Sequence, residues 1–394
     1  MIAVLLAVAE AVIGASATLL VGTFLGYPVW LAVLSAVRPR PYPSGPDATR
    51  EDDLPRVAIV LAGHNEARRL PAKLASLAAL DYPPERLRFY VADDASTDDT
   101  TAVLEQLKQA HPRLRCHRSD TNVGKPANLN RLVELAGDWP DVLVFNDARQ
   151  PLDPQALRCL VAPLGDPSIG GATGDLTLPP NADGTVPGMG AYWRYETFLR
   201  DREARTGSVV GATGALYCVR RELFTPFEPN LVLDDMLGPL RVTLGGRRFV
   251  FAHGARAFDV YSDDLGHEYR RKVRTLAGIY QAMAFEPRLT RPGSGVFGRF
   301  FWHKRGRLLL PFLLGANGVA SLLAVALAAW DEPLRAVVPA AILAGHLGLW
   351  AGYAASRATG KLRIFQTLGT LVRAAYDARR EWKRGATTAA WKKA

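Results

Sequence analysis

Leu87-Arg88-Phe89-Tyr90-Val91-Ala92-Asp93-Asp94-Ala95-Ser96-Thr97-Asp98 is an apolar run that ends abruptly in acidic and hydroxyl side chains. It reads as a short strand with a polar exit at its carboxyl end. The pattern recurs on both sides. Val57–Leu61 is apolar and leads to Gly63-His64-Asn65-Glu66, and Val142–Phe145 is apolar and leads to Asn146-Asp147-Ala148-Arg149. Leu114–His117 is a further extended segment, while Ala67–Leu80, Asp98–Ala110 and Pro126–Ala136 carry apolar residues at helical spacing. Strands alternating with helices imply right-handed βαβ units and an α/β fold with a mostly parallel, Rossmann-like sheet. Ligands of such sheets lie beyond the carboxyl ends of the strands. Three separate strands therefore deliver acidic or amide groups to one edge.

Outside this region the composition changes. The mean hydropathy of +0.01 averages apolar ends with a middle that resembles soluble protein. Residues 11–37, 308–330 and 336–356 carry no charged side chain, and each is long enough to cross a hydrocarbon core of ~30 Å at ~1.5 Å per helical residue. The first lacks a basic stretch before it and has Glu10 there instead, so it reads as an uncleaved anchor rather than a signal peptide. The polar link Asp331-Glu332-Pro333 makes the other two a hairpin. Arg38, Arg40, Lys304, Arg305, Arg307, Arg357, Lys361 and Arg363 flank the spans, which by the positive-inside rule puts 38–307 and 357–394 in the cytoplasm of a multi-pass membrane protein.

The expected organisation is a transmembrane helix (1–37), a linker (38–55), an α/β domain (56–290), a second linker (291–307), a membrane hairpin (308–356) and a basic interfacial segment (357–394). That last segment supplies most of the net charge of +10, with ten Lys/Arg against Asp377 and Glu381, and interleaves them with Leu362, Ile364, Phe365, Leu368 and Leu371. Membrane lipids are the expected partner, and no nucleic acid, since no nucleic-acid module is recognisable. Cys116, Cys159 and Cys218 are far apart and read as reduced thiols.

Each polar exit has a simpler explanation beside the functional one. Ser96 or Asp98 could cap the following helix, but capping does not explain why Asp93 and Asp94 stand together at a strand exit. A ribose hydroxyl or base N–H is one candidate for what compensates them. Lys125, in Asn122-x-Gly124-Lys125-x-x-Asn128, stands at a helix entrance, where a cation opposes the helix dipole and a bound diphosphate would account for it. The stretch is not a Walker A loop, because Ser119 occupies the first glycine position. Gly293-Ser294-Gly295-Val296-Phe297-Gly298 spells G-x-G-x-x-G but follows no strand and reads as a linker. Asp147 is the candidate ligand for a divalent metal, Mg²⁺ or Mn²⁺. An N-cap, or an ion pair with Arg149, is the plainer alternative.

Taken in order, Ile59–Glu66, Asp93-Asp94-Ala95-Ser96-Thr97-Asp98, Gly124-Lys125 and Asp147 resemble the nucleotide-binding half of family 2 glycosyltransferases of the GT-A fold. Downstream, Gly211-Ala212-Thr213-Gly214-Ala215 resembles the family's glycine-rich acceptor-side segment, and Leu233-Asp234-Asp235 its acidic pair. Arg271-Lys272-Val273-Arg274-Thr275 resembles the Q-x-x-R-W element of hyaluronan, chitin and cellulose synthases.

The resemblance implies donor contacts from His64, Asn65, Glu66, Asp93, Asp94, Ser96, Lys125, Arg271, Lys272 and Arg274. It also implies Asp235 as general base supported by Asp234, a metal on Asp147, and inversion at the anomeric carbon. The partners it implies are a nucleotide-sugar donor, in the first place a UDP-sugar, and a lipid-linked or glycan acceptor at the membrane. Two positions depart from the family: Arg149 replaces the second carboxylate of D-x-D, and Thr275 replaces the tryptophan of Q-x-x-R-W. The first weakens metal dependence, and the second weakens the case for polymer synthesis. A processive polysaccharide synthase and a non-catalytic sugar-nucleotide-binding scaffold remain as alternatives.

Overall fold

A computed structural model describes residues 1–177, 191–259, 265–359 and 363–385, which fall into two compact units. One unit holds Leu31–Asp263 and Ala282–Phe297, and the other Met1–Trp30, Asp264–Gln281 and Gly298–Thr387.

The first unit is built on a seven-stranded sheet of order β3-β2-β1-β4-β6-β5-β7. Its strands are β1 (Val57–Gly63), β2 (Leu87–Asp93), β3 (Leu114–Arg118), β4 (Val142–Asn146), β5 (Ile169–Thr177), β6 (Leu216–Arg220) and β7 (Arg248–Phe258). Side chains of β1 and β4 are almost fully buried, from Val57 to Leu61 and from Val142 to Asn146. A strand covered on both faces reads as a continuous apolar run, and that is why these two were legible. Parallel pairing of β1 with both β2 and β4, with Gly63 opposite Asp93, brings the three polar exits to one edge.

The connecting helices, Leu70–Ala78, Thr100–Ala110 and Lys125–Ala136, start and stop within three residues of the expected limits. One strand breaks the parallel pattern. β6 runs antiparallel between β4 and β5, with Asn146 opposite Leu216. Its amino end therefore lies at the carboxyl edge of β4 and brings the preceding segment, Gly211–Ala215, to the same edge.

Among the described residues three helices are long and apolar enough to cross a membrane, Ile2–Val37, Phe297–Ala328 and Pro333–Thr359, and most of their length belongs to the second unit. All three charge-free stretches fall within this helical part of the chain. The second helix starts earlier than the expected linker boundary, at Phe297, because Phe297, Phe300, Phe301 and Trp302 continue its apolar pattern upstream. The glycine-rich stretch at 293–298 thus runs straight into a helix.

Ala320, Ala324 and Ala328, one per turn, pack on Leu6, Ala9 and Ile13. Small side chains let two helices approach closely where no hydrophobic force drives them together. At mid-span, Asn317 Nδ2 donates to Ser16 Oγ at 2.8 Å, and His346 Nε2 lies 3.1 Å from Asn317 Oδ1, linking all three helices. Glu10 pairs with Arg335 at 2.5 Å.

The basic C-terminal segment contains the helix Arg363–Lys383, which packs on the amphipathic helix Leu265–Phe285. Tyr269 donates to Asp377 at 2.6 Å and Tyr280 stacks with Trp382, their centroids 6.5 Å apart. Arg373, Tyr376, Arg380 and Lys383 are exposed, whereas Lys361, Leu362, Lys392 and Lys393 lie outside the described residues.

Candidate active site

The turns after β1 and β2 lock onto each other. Asp93 accepts hydrogen bonds from the Ser96 amide at 2.9 Å and the Thr101 hydroxyl at 2.5 Å. Asp94 accepts from the amides of Val123 at 2.8 Å and Gly124 at 2.9 Å. Both carboxylates are buried, at 1% and 2% exposure, so donors of the chain itself offset the desolvation and mutual repulsion that a ligand was invoked to explain. His64 Nδ1 donates to the Asp94 carbonyl at 2.9 Å. Asn65, in a left-handed conformation at φ 59°, donates its amide to Ser96 Oγ and accepts from the Thr97 amide at 2.8 Å. The Glu66 amide donates to Thr100 Oγ1 at 2.9 Å.

Asp94 has a structural consequence further along. Its grip on the amides of Val123 and Gly124 fixes the entrance of the helix Lys125–Ala136, where Gly124 takes φ 91°, a conformation that a side chain would strain. The next residue, Lys125, is thereby aimed at the edge between β4 and β6. Its Nζ lies 2.9 Å from Asp147 Oδ1 and 3.5 Å from Asp234 Oδ2. Asp234 also accepts from the hydroxyl of Tyr217 at 3.0 Å, whose ring stacks on Phe145 with centroids 4.7 Å apart. A Cβ added at Gly214 would stand 3.0 Å from Asp235 Oδ2 and 3.8 Å from Asp147 Oδ2. Three carboxylates from β4 and the start of the helix Asp234–Leu244 thus surround one lysine and one glycine.

The charges explain one another. Burial alone would lower the pKa of Lys125, but Asp147, Asp234 and Asp235 outweigh it and hold the amine above its ordinary value. The Tyr217 hydroxyl is pushed well above its usual range by burial and by Asp234. Lys73, on the helix Leu70–Ala78, has no such surroundings: burial pulls its amine down to about 7, opposed only by the field of Asp147.

Asp147 is paired with Lys125 rather than with Arg149. Arg149 Nη2 lies 3.4 Å from Asp259 Oδ2, the oxygen that also accepts from Gln150 Nε2 at 3.0 Å. Among the described residues no cluster of three or more His, Cys, Asp or Glu side chains forms a ready-made metal site. Asp147 is one-third exposed, and Lys125 occupies its Oδ1. Mg²⁺ is commonly held by one or two carboxylates with phosphate oxygens and water completing the shell, so Asp147 fits as a single protein ligand.

Arg271, Lys272 and Arg274 lie on the helix Leu265–Phe285, in the other compact unit. Lys73, Tyr217 and Asp259 were not singled out in the sequence. Lys73 alone left a trace there, a lysine interrupting the apolar stripe of Leu70, Leu74 and Leu77.

Comparison with known proteins gives the chain its family and its fold. The model of a family described as "Glycosyltransferase like family 2" matches residues 55–278. The β-monoglucosyldiacylglycerol synthase of Synechocystis sp. is 24% identical over 76% of this chain, the match spanning 62% of that protein's length. An N-acetylglucosaminyltransferase of Rhizobium meliloti is 30% identical over 70% of this chain and 68% of its own. Among solved structures, a mannosyltransferase from Pyrobaculum calidifontis, in complex with GDP-Man and Mn²⁺, superposes with a TM-score of 0.69 at 21% identity, covering 97% of this chain and all of that one. That likeness establishes the GT-A fold.

Proposed function

The chain belongs to the glycosyltransferase-like family 2, and from that premise we propose that it moves a sugar from a nucleoside-diphosphate donor, in the first place a UDP-sugar, to a lipid-linked or glycan acceptor at a membrane, with inversion at the anomeric carbon. The observation that carries this reading is the single cluster of Lys125, Asp147, Asp234 and Asp235 around Gly214 at the carboxyl edge of the sheet.

The donor's nucleoside lies against the turns of His64, Asn65 and Glu66 and of Asp93, Asp94 and Ser96, which the hydrogen bonds between them make rigid. Its diphosphate meets Lys125 at the amino end of the helix Lys125–Ala136, where the helix dipole favours an anion. Arg271, Lys272 and Arg274, which the family resemblance makes donor contacts, carry the chemistry for that role, since guanidinium groups match phosphate geometry. A divalent cation on Asp147, when bound, disperses the charge that develops on the leaving diphosphate.

Asp235 accepts the proton of the acceptor hydroxyl as its oxygen attacks the anomeric carbon. Asp234, held by Lys125 and Tyr217, orients the pair. Water must be kept from the same carbon, and an acceptor bound over Gly214 does that by occupying the space.

The basic flanks Arg38, Arg40, Lys304, Arg305, Arg307 and Arg357 put this unit on the cytoplasmic side, so that the acceptor is drawn from the inner leaflet.

The test is transfer by purified protein. A panel of UDP-glucose, UDP-N-acetylglucosamine and GDP-mannose is screened by thermal shift, then the binder is assayed with diacylglycerol and short glycans. Asp235→Asn is expected to abolish turnover and leave donor affinity within about two-fold of wild type. Retained turnover in that variant rejects Asp235 as the base.

A further inference from the structure

Along most of the helix Arg363–Lys383 the apolar residues are turned to protein. Leu371, Val372, Ala374, Ala375 and Ala378 are buried, the first two at 8% and 7% exposure. The docking is close. A Cβ added at Gly369 would stand 2.4 Å from the Tyr353 ring, and one added at Gly352 would stand 2.6 Å from the Phe365 ring, so each glycine makes room for an aromatic of the other helix. Arg373 Nη1 donates to the Tyr353 hydroxyl at 3.2 Å, and the Arg379 guanidinium lies 4.9 Å from the centroid of the Phe312 ring. A face covered in this way by protein is not available to insert into a bilayer.

What the helix leaves outside is basic. Arg373, Tyr376, Arg380, Lys383 and, just past its end, Arg384 are exposed. Steps of three and four residues keep them on one side of the helix over ~16 Å. Among the described side chains of this helix no acid is exposed: Asp377 and Glu381 are half-buried, and Asp377 accepts from the Tyr269 hydroxyl at 2.6 Å. A helix face that only meets water carries charges of alternating sign. This one carries a single sign.

Its neighbours set the level at which the strip stands. Phe312 lies about one turn into the charge-free stretch 308–330, and Tyr353 about one turn before the end of 336–356. A helix docked on both sits where these stretches leave the hydrocarbon, on the side flanked by Arg307 and Arg357. That is the headgroup layer of one leaflet. Tyr376, at 50% exposure, has the half-apolar ring that suits this boundary, and Ile364 and Leu368, at 68% and 40%, present apolar surface in the first turns of the helix.

We propose that Arg373, Arg380, Lys383 and Arg384 form a headgroup site for anionic phospholipid, which holds this helix in the headgroup layer by charge and not by insertion of its apolar face. A soluble phosphate would meet the same charges, but in that layer phospholipid headgroups are the anions at hand, and their acyl chains match the apolar helices beside the strip. The inference names a partner for the membrane side of the function proposed above. It rests on the three apolar helices spanning a bilayer and on no role of Lys125 or Asp235.

The experiment uses the full chain in dodecyl maltoside micelles. Phosphatidylglycerol and phosphatidylcholine, each carrying a nitrobenzoxadiazole label on an acyl chain, are titrated and followed by fluorescence anisotropy. A basic side chain near an anionic surface is worth about five-fold in binding, so wild type is expected to prefer phosphatidylglycerol at least ten-fold, and less so at high salt, because exposed charges are screened. Neutralising Arg380→Gln, Lys383→Gln and Arg384→Gln together should bring the two lipids within about two-fold of each other. The unfolding temperature should hardly move, since all three side chains are exposed. Should the triple variant not fold, Arg380→Gln and Lys383→Gln are read singly, each with a loss of about five-fold. Lys108→Gln, which neutralises an exposed lysine of the sheet unit, should keep the full preference. Equal affinity for the two lipids in wild type, a preference that survives in the strip variants, or one lost equally in Lys108→Gln overturns the proposal. So does displacement of labelled phosphatidylglycerol by inorganic phosphate as readily as by unlabelled phosphatidylglycerol, which would make the strip a site for soluble anions. If alkaline carbonate extracts the chain from membranes, the spanning reading fails and takes this one with it; a chain that stays in the membrane fraction and takes both lipids alike sinks this one alone.

Discussion

Replacing Lys73 by methionine should change the pH dependence of stability in a direction set by its burial. In the unfolded chain the amine titrates near its ordinary 10.5, and in the folded protein it is pulled to about 7. The folded pKa is the lower one, so between these values the unfolded state binds the extra proton. Stability contributed by this group therefore rises with pH through the window from about 7 to 10.5 and is flat below it. One pKa unit is worth about 1.4 kcal/mol, so between pH 6 and pH 9 the wild type should gain about 3 kcal/mol relative to Lys73→Met, which has no group to titrate. For a unit of this size that is roughly 6–12 °C in the difference between the two unfolding temperatures.

Intrinsic-fluorescence unfolding of both proteins at half-unit pH steps, in one buffer series at constant ionic strength, isolates the effect, because all other titrating groups cancel in the difference. A difference that does not change between pH 6 and 9 would mean that the buried amine is solvated or paired in a way that its 2% exposure and its bond to the Gln150 carbonyl do not allow. A difference that falls with rising pH would refute the reasoning outright, since it requires a folded-state pKa above that of the free side chain.

Three further perturbations probe other parts of the molecule. Gly214→Ala puts a methyl group 3.0 Å from Asp235 Oδ2, so transfer should fall at least ten-fold while the unfolding temperature moves by no more than a few degrees; wild-type kcat would show that nothing reacts over that glycine. Arg149→Asp places a carboxylate opposite Asp259 and restores the two-acid motif. It should lower stability without metal and tighten Mn²⁺ binding about ten-fold in calorimetry, whereas unchanged Mn²⁺ affinity would mean that this turn does not face the metal. Asn317→Leu removes the hydrogen bonds joining Ser16, Asn317 and His346 and should destabilise the helical unit by about 1 kcal/mol, read as a lower unfolding temperature in detergent; an unchanged value would place the network outside the forces that hold the helices together.

Much of this protein was decided along the chain. β1, β2 and β4 are buried on both faces, so their apolar runs needed no partner to be recognised, and each ended in the residues that reach the site. The helices long and apolar enough to cross a membrane were equally plain, because a hydrocarbon core demands an uninterrupted apolar stretch whatever its neighbours are. Lys125 at a helix entrance signalled an anion before any contact was known, although in the folded chain the anions beside it are Asp147 and Asp234.

What only the tertiary structure decided concerns pairings between residues far apart in sequence. The antiparallel course of β6 puts Gly214 beside Asp147 and Asp235, and no local pattern reports strand direction. Asp94 holds the amides of Val123 and Gly124, and Arg149 faces Asp259, not Asp147. Propensity and hydrophobic period describe a residue's own turn of chain. Which charge meets which depends on how the strands are ordered and how deeply each group is buried, because burial sets the dielectric that makes such a meeting matter.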